Sequence, residues 1–390
     1  MIDQGSGSIS KTERLVSLDV FRGITIASMV LVNNPGTWSH VYEPLRHAEW
    51  HGITPTDYIF PFFLFIVGVA ITLSLGRKVE SAGVGKDIYI RILKRSALIF
   101  LLGLFLAAFP FYDFNQGTWI DLSKLRIMGV LQRIALCYLF ASLIFLHTNA
   151  RQQFIIVIIL CLLYWILMTI VPVPGCSVTT IDDKACNLAA YLDRLVLGEN
   201  HMWRQSKVYD PEGLLSTIPA IATTLIGVLT GHWIRRKDRD NYEKVAAILF
   251  YGVCLLGLGY FWSLFFPLNK SLWTSSYVVY TAGLALCFLG FCCYLVDIKK
   301  CTWWTKPFVI FGVNPLALFV GSGLMAKTLL IIKVSGVDGK QISLQKWIFD
   351  NVFLPLAQPI NASLLYALTF IVVWLFLMWI LYKKGIYIKV

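Results

Sequence analysis

RHAEWHGITPTDYIFPFFLFIVGVAITLSLG, residues 46–76, passes without a linker from a polar loop with two histidines into a long apolar run. Between Thr54 and Gly76 the only charged residue is Asp57, near the start. A bilayer core needs roughly 20 apolar residues of helix, so 54–76 reads as a transmembrane span. Similar windows recur at 15–34, 92–110, 126–147, 153–173, 212–234, 245–267, 272–296, 307–331 and 360–382. The stretch 342–357 is shorter and runs into LPLAQP, so it is expected to be an amphipathic or re-entrant helix.

Composition agrees. The chain is 57% apolar and 14% charged, whereas a soluble domain carries about 25% charged residues. The expected fold is an all-α polytopic membrane protein of about ten transmembrane helices. It has one domain, 14–390, after a disordered cytoplasmic tail, 1–13. The formal charge of +12 sits in short loops between apolar segments, which argues for membrane anchoring and against a nucleic-acid partner. With the N-terminus inside, 20 Lys and Arg fall in inside segments and 11 in outside ones. That excess predicts that both termini are cytoplasmic. Residues 35–53 and 174–211 then lie outside, with His40, His47, His51 and His201. Cys176 and Cys186 share the second of these loops, where an oxidising compartment would allow a disulfide.

Arg22, Arg133 and Lys327 fall inside predicted spans, where each charge costs roughly 2.5–3.5 kcal/mol and needs a partner or a function. Asp19 and Arg22 are three apart, so one helix face presents both; they can pair, and Arg22 can also serve an anionic donor. Arg133 lies deeper, with Arg126 two turns earlier on the same expected face, and needs a carboxylate, carbonyls or a ligand phosphate. Asn314 precedes Pro315, which removes a backbone donor and is expected to kink the ninth span. Broken helices often line cavities, so Asn314 is also a candidate substrate contact.

In the first outer loop Asn33, His47, Glu49, His51 and Asp57 gather near one membrane face. A histidine beside a carboxylate can act as general base near neutral pH. The loop has no close metal-ligand spacing, so no metal is expected. In YDPEGLLSTIPA, 209–220, Asp210 and Glu212 suit a helix start and face the same loop, where they could hold an amine or hydroxyl acceptor.

Six segments together resemble a known family. They are RLVSLDVFRGITI (14–26), RHAEWHGITPTDYIFPFFLFIVG (46–68), MGVLQRIAL (128–136), YDPEGLLSTIPA (209–220), FFPLNKSLWTSSYV (265–278) and PFVIFGVNPLALFVG (307–321). The family is the transmembrane acyltransferases that include heparan-α-glucosaminide N-acetyltransferase and its bacterial relatives. The resemblance implies transfer of an acetyl group from cytoplasmic acetyl-CoA to the amine of a terminal glucosamine across the bilayer. It makes His47 the catalytic histidine, flanked by Asn33 and Asp57, and suggests a homodimer among membrane lipid. Arg22, Arg91, Lys94, Arg95 and Arg133 are the cations expected to bind the donor's phosphates. Glu49, Asp210, Glu212 and Asn314 are the expected acceptor contacts. Because the chain starts about fourteen residues before its first span, a bacterial inner-membrane member is expected. A sugar transporter fits the broken helix and buried charges, although no internal repeat supports it. An O-acyltransferase acting on an envelope polysaccharide is the other alternative.

Overall fold

The computed structural model describes residues 15–113, 117–336 and 339–388; the expected tail, 1–13, lies outside them. The helices are α1 (Val16–Asn33), α2 (Ile59–Ala82), α3 (Lys86–Ala108), α4 (Val130–His147), α5 (Ala150–Ile170), α6 (Leu188–Val196), α7 (Thr217–Arg235), α8 (Asn241–Ser263), α9 (Ser275–Cys292), α10 (Lys306–Val313), α11 (Pro315–Ile331), α12 (Leu344–Ile348) and α13 (Pro359–Lys383). The expectation of an all-α polytopic membrane protein is borne out. Two short antiparallel hairpins, Tyr112–Asp113 with Thr118–Trp119 and Lys333–Ser335 with Gln341–Ser343, decorate loops.

Among the described residues, eight helices are long and apolar enough to cross a membrane: α1, α2, α4, α5, α7, α8, α9 and α13. The expected ninth span, 307–331, is not one rod. It breaks by 85° between α10 and α11 at Asn314. The cause is local: Asn314 leaves helical geometry at φ −130° and ψ 50°, and Pro315 opens the next helix. The expected window 92–110 falls on α3. This helix has 23 residues, but Lys86, Asp87, Arg91, Lys94 and Arg95 charge its first half. The helices α2 and α3 also run beyond their apolar windows, because Lys and Arg are good helix formers. The chain turns only at Gly83, at φ +70°.

The stretch expected to be a short non-spanning helix is helical over Leu344–Ile348 and continues as a wider turn over Phe349–Phe353. Phe349 and Phe353 pack on Tyr366 of α13.

The core lies where α2, α4, α7 and α9 meet. Of the apolar window of α7, 72% is buried, against 22% for α8 and 28% for α5. Thus α7 is central and tolerates Thr223, Thr224 and Thr230, whose hydroxyls donate to carbonyls one turn back. By contrast α5 and α8 expose Ile159, Ile166, Phe250 and Val253, which suits contact with lipid. Lys327 is explained by packing: its ammonium donates to the carbonyls of Leu106 and Phe109, at 2.5 and 3.2 Å, and so satisfies the end of α3.

The close seam between α2 and α7 positions everything that follows. A Cβ at Gly68 would lie 1.9 Å from the Thr224 carbonyl oxygen, and one at Gly227 would lie 2.0 Å from that of Phe65. Gly227→Leu should therefore lower thermal stability by more than the ~1–3 kcal/mol of ordinary overpacking. Gly257→Ala on α8, where a Cβ meets nothing within 4 Å, should be neutral or slightly stabilising. Melting of both variants in detergent, followed by size exclusion, checks the contrast.

Candidate active site

The α2 entrance is built around one buried carboxylate. Thr54-Pro55-Thr56-Asp57 forms a capping box on the short 3-10 turn Pro55–Tyr58 that leads into α2. Asp57 is 1% exposed. One of its oxygens accepts from the backbone N–H groups of Ala48 and Thr54, both at 3.1 Å. The other lies 2.7 Å from His47 Nδ1. A carboxylate only accepts, so Nδ1 carries the proton and Nε2 is left with its lone pair. The Asp57 carbonyl accepts from the Tyr277 hydroxyl at 2.6 Å, tying the turn to α9. The His47 side chain is 49% exposed, so the dyad has a buried anchor and an open imidazole.

Lys270 completes the cluster, and the sequence reading gave it no role. Its Nζ lies 2.9 and 3.3 Å from the two ring nitrogens of His47 and 3.5 Å from Asp57. Asp57 already occupies the in-plane position at Nδ1, so the ammonium bears on the dyad as a charge. Burial pulls Lys270 below its ordinary range, while Asp57 and Glu212 oppose that pull. The signal for it was FFPLNKSL, a lysine in a short outer loop, which spacing alone could not connect to a histidine 223 residues away.

A second polar layer adjoins the first. Arg126 grips Asp210 through Nε at 2.9 Å and Nη2 at 2.6 Å, and also binds Glu212. It does not share a helix face with Arg133 as expected, because α4 starts at Val130 after an extended Gly129. Arg133 is fully buried. It donates to the carbonyls of Pro211 and Gly213, at 3.0 and 2.9 Å, and to Ser216, and stacks 5.2 Å from the Trp273 ring. Its guanidinium thus braces the turn before α7 and does not line the cavity that gathers the other expected donor cations. Asp193 of α6 closes this layer, accepting from Leu214 N at 2.8 Å. A Cβ at Gly213 would fall 1.9 Å from that carboxylate, so any larger residue there must push Asp193 aside.

The loop before α6 folds onto the loop between α1 and α2. Cys176 and Cys186 are bonded. Between them, Ile181 accepts from Trp50 Nε1 at 2.9 Å, and Asp182 lies 2.9 Å from His51 Nε2. His51 also contacts Asn269, the neighbour of Lys270, at 3.3 Å.

The remaining candidates divide. Asn33 ends α1 exposed, and among the described residues no hydrogen bond joins it to His47 or Asp57. Glu49 is exposed too. Asn314 is buried far along the chain from the dyad and binds the segment after α13: it donates to the Ile386 carbonyl at 3.0 Å and accepts from Ile388 N at 2.8 Å. In contrast, Arg22, Arg91, Lys94 and Arg95 all line a single cavity of about 880 Å³ between α1, α2, α3, α4 and α11. Lys78 joins them there. Past these cations the lining becomes apolar, through Ile26, Met29, Val67 and Phe63. Arg95 lies 4.7 Å over the Tyr138 ring. Arg22 bonds Asp19, at 3.1 Å, as the three-residue spacing predicts, and the Gly312 carbonyl at 3.2 Å.

Burial raises the Asp193 carboxyl to about 6; the Leu214 N–H opposes this and Asp210 reinforces it. An unfolded aspartate titrates near 3.9. The folded state therefore binds the proton more tightly, and the stability this contributes is complete below about pH 4 and lost as pH rises through about 6. Asp193→Asn should remove that dependence. The melting temperature of the wild type relative to the variant should then fall as pH is raised from 4 to 7.

The comparisons with known proteins bear on this site. The family described as heparan-alpha-glucosaminide N-acetyltransferase, catalytic, matches residues 14–266. That range takes in the His47–Asp57 dyad, the Arg126 layer and the cavity's cations, and ends four residues before Lys270. Heparan-alpha-glucosaminide N-acetyltransferase of Homo sapiens is 30% identical over 364 residues, covering 79% of this chain and 52% of that protein. The protein of the same name from Mus musculus is 28% identical over 365 residues, covering 80% and 54%. The chain spans about half the length of these curated relatives. With its dyad, its turn before α7 and the cations of its cavity inside the matched range, the chain belongs to the heparan-alpha-glucosaminide N-acetyltransferase catalytic family.

Proposed function

We propose that this protein is a transmembrane acetyltransferase that takes an acetyl group from acetyl-CoA at its basic face. It delivers the group to the amine of a glucosamine-type sugar at the opposite face. The observation that carries this reading is that one helix serves both ends. The last turns of α2 supply Ser74 and Lys78 to the cationic cavity. The turn at its start holds Asp57 against His47. Phe63, the α2 lining residue nearest that end, is six residues from Asp57, about 9 Å of helix.

The chemistry follows from the groups in place. Arg22, Lys78, Arg91, Lys94 and Arg95 suit the phosphates of a CoA nucleotide, and the apolar lining beyond them suits its thioester arm. At the dyad, Asp57 holds the Nδ1–H tautomer, so Nε2 can accept a proton from the acceptor amine as the amine attacks the thioester carbonyl and the CoA thiolate leaves. The same Nε2 can instead take the acetyl group and pass it on. Lys270, aimed at the dyad, would stabilise negative charge developing at the carbonyl oxygen. The Cys176–Cys186 bond supports an oxidising compartment on the His47 side, and the clustered Lys and Arg support the cytoplasm on the other.

Purified protein should form N-acetylglucosamine from acetyl-CoA and glucosamine, and His47→Ala should lower kcat by about 10²–10⁴-fold. Arg95→Ala should raise KM for acetyl-CoA roughly tenfold, the loss of one charge-assisted bond, and leave acceptor KM unchanged. Radiolabelled acetyl retained on the protein without acceptor, and lost in His47→Ala, would identify the covalent route. Equal CoA release by wild type and His47→Ala would remove the dyad from the mechanism. A base-labile ester product in place of an amide would move the acceptor to a hydroxyl.

A further inference from the structure

Asn314, at the 85° break between α10 and α11, is fully buried, yet it bonds a segment that is not. After α13 the chain turns at Gly385, at φ +65°, and continues outside helix or strand through Ile386, Tyr387 and Ile388. These three side chains are 44%, 44% and 49% exposed. Among the described residues, the hydrogen bonds tying Ile386–Ile388 to the rest of the chain are the pair to Asn314 and one turn bond to Leu381. Ile388 nonetheless lines the cationic cavity, beside Arg22, Val313 and Pro315.

We propose that Ile386–Ile388 is a strap across the basic mouth of the donor cavity, and that Asn314 is the positioning residue that latches it. The inference rests on reading this cavity as the donor site. A half-exposed isoleucine at a cavity edge gains burial only when something apolar fills the space beside it. A CoA arm entering past Arg22 supplies that surface, so donor binding and strap closure favour each other. The broken helix has a purpose in this arrangement: by leaving helical geometry, Asn314 can offer both its amide N–H and its carbonyl oxygen to one passing strand.

The test reads the strap without requiring a donor. Ser74→Cys places a thiol on the cavity wall, in a Cys301→Ser background that removes the loop thiol. Its labelling by a charged maleimide in opened vesicles should be slow in the intact chain. It should quicken when Asn314→Ala is added or residues 385–390 are deleted; the deletion covers the case in which Asn314→Ala does not fold. Both changes should raise KM for acetyl-CoA by about fivefold, the loss of part of an isoleucine contact. Acceptor KM and kcat should not move, and the two together should do no more than the deletion alone. Unchanged labelling, additive effects, or a shift in kcat with donor KM unaltered would each overturn the strap. Failure of the intact chain to bind acetyl-CoA would sink the donor reading instead, and labelling would still decide whether the strap exists.

Discussion

A carboxylate withdrawn from water beside a membrane-spanning helix must have its charge met group by group, and the arrangement around Asp57 follows from that need. Two backbone N–H groups, one imidazole N–H and one ammonium converge on it. The partners come from three pieces of chain: residues 47 and 48, the turn at Thr54, and the loop carrying Lys270. The Tyr277 hydroxyl binds the same residue's carbonyl. Satisfying one acid therefore fixes the first outer loop, the start of α2 and the approach to α9 relative to one another. An imidazole that must be aimed is aimed by the same bonds that make the acid's burial tolerable.

The second layer obeys the same rule. Asp210, Glu212 and Asp193 are buried near Arg126, Arg133 and Lys270, and two carbonyls at the turn before α7 accept from the Nη groups of Arg133. Glu212 links the layers, since it is bound by Arg126 and also acts on Lys270. The end of the protein that holds the dyad is thus a packed charge lattice, and the disulfide-closed loop covers its edge through Trp50 and His51.

Much of this was legible in the sequence, and the failures have physical causes. Hydrophobic length located the spans, because the bilayer sets it. It misjudged α3, whose charged half is helical since Arg and Lys favour helices; the break in 307–331 was read from Pro315 after Asn314 instead, though not its size of 85°. The Asp19–Arg22 pair is a local, three-residue relation and could be read from spacing. Arg126, Arg133, Asn314 and Lys270 could not, since their partners lie 84, 80, 72 and 223 residues away. Asn314 was expected at a substrate because broken helices often line cavities. The partner proved to be the chain itself.

Depth explains why Asn33 stands apart from the dyad although both were placed on one face. Phe21 of α1 packs against Phe62 of α2 with ring centroids 5.4 Å apart, so these residues share a level. Asn33 lies twelve residues beyond Phe21, about 18 Å of helix, while Asp57 lies only five before Phe62, about 8 Å. The dyad is therefore recessed by about 10 Å below the end of α1, and the first outer loop descends into the bundle to reach it. A site sunk in this way shortens the path between the cationic cavity and His47. Along α2 the two are six residues apart, from Asp57 to Phe63, or nearly two turns of helix, and within that stretch Phe62 packs on Phe21 and Phe288. Recessing the His47–Asp57 end, more than lengthening the cationic cavity, is how this fold brings its two polar sites close together.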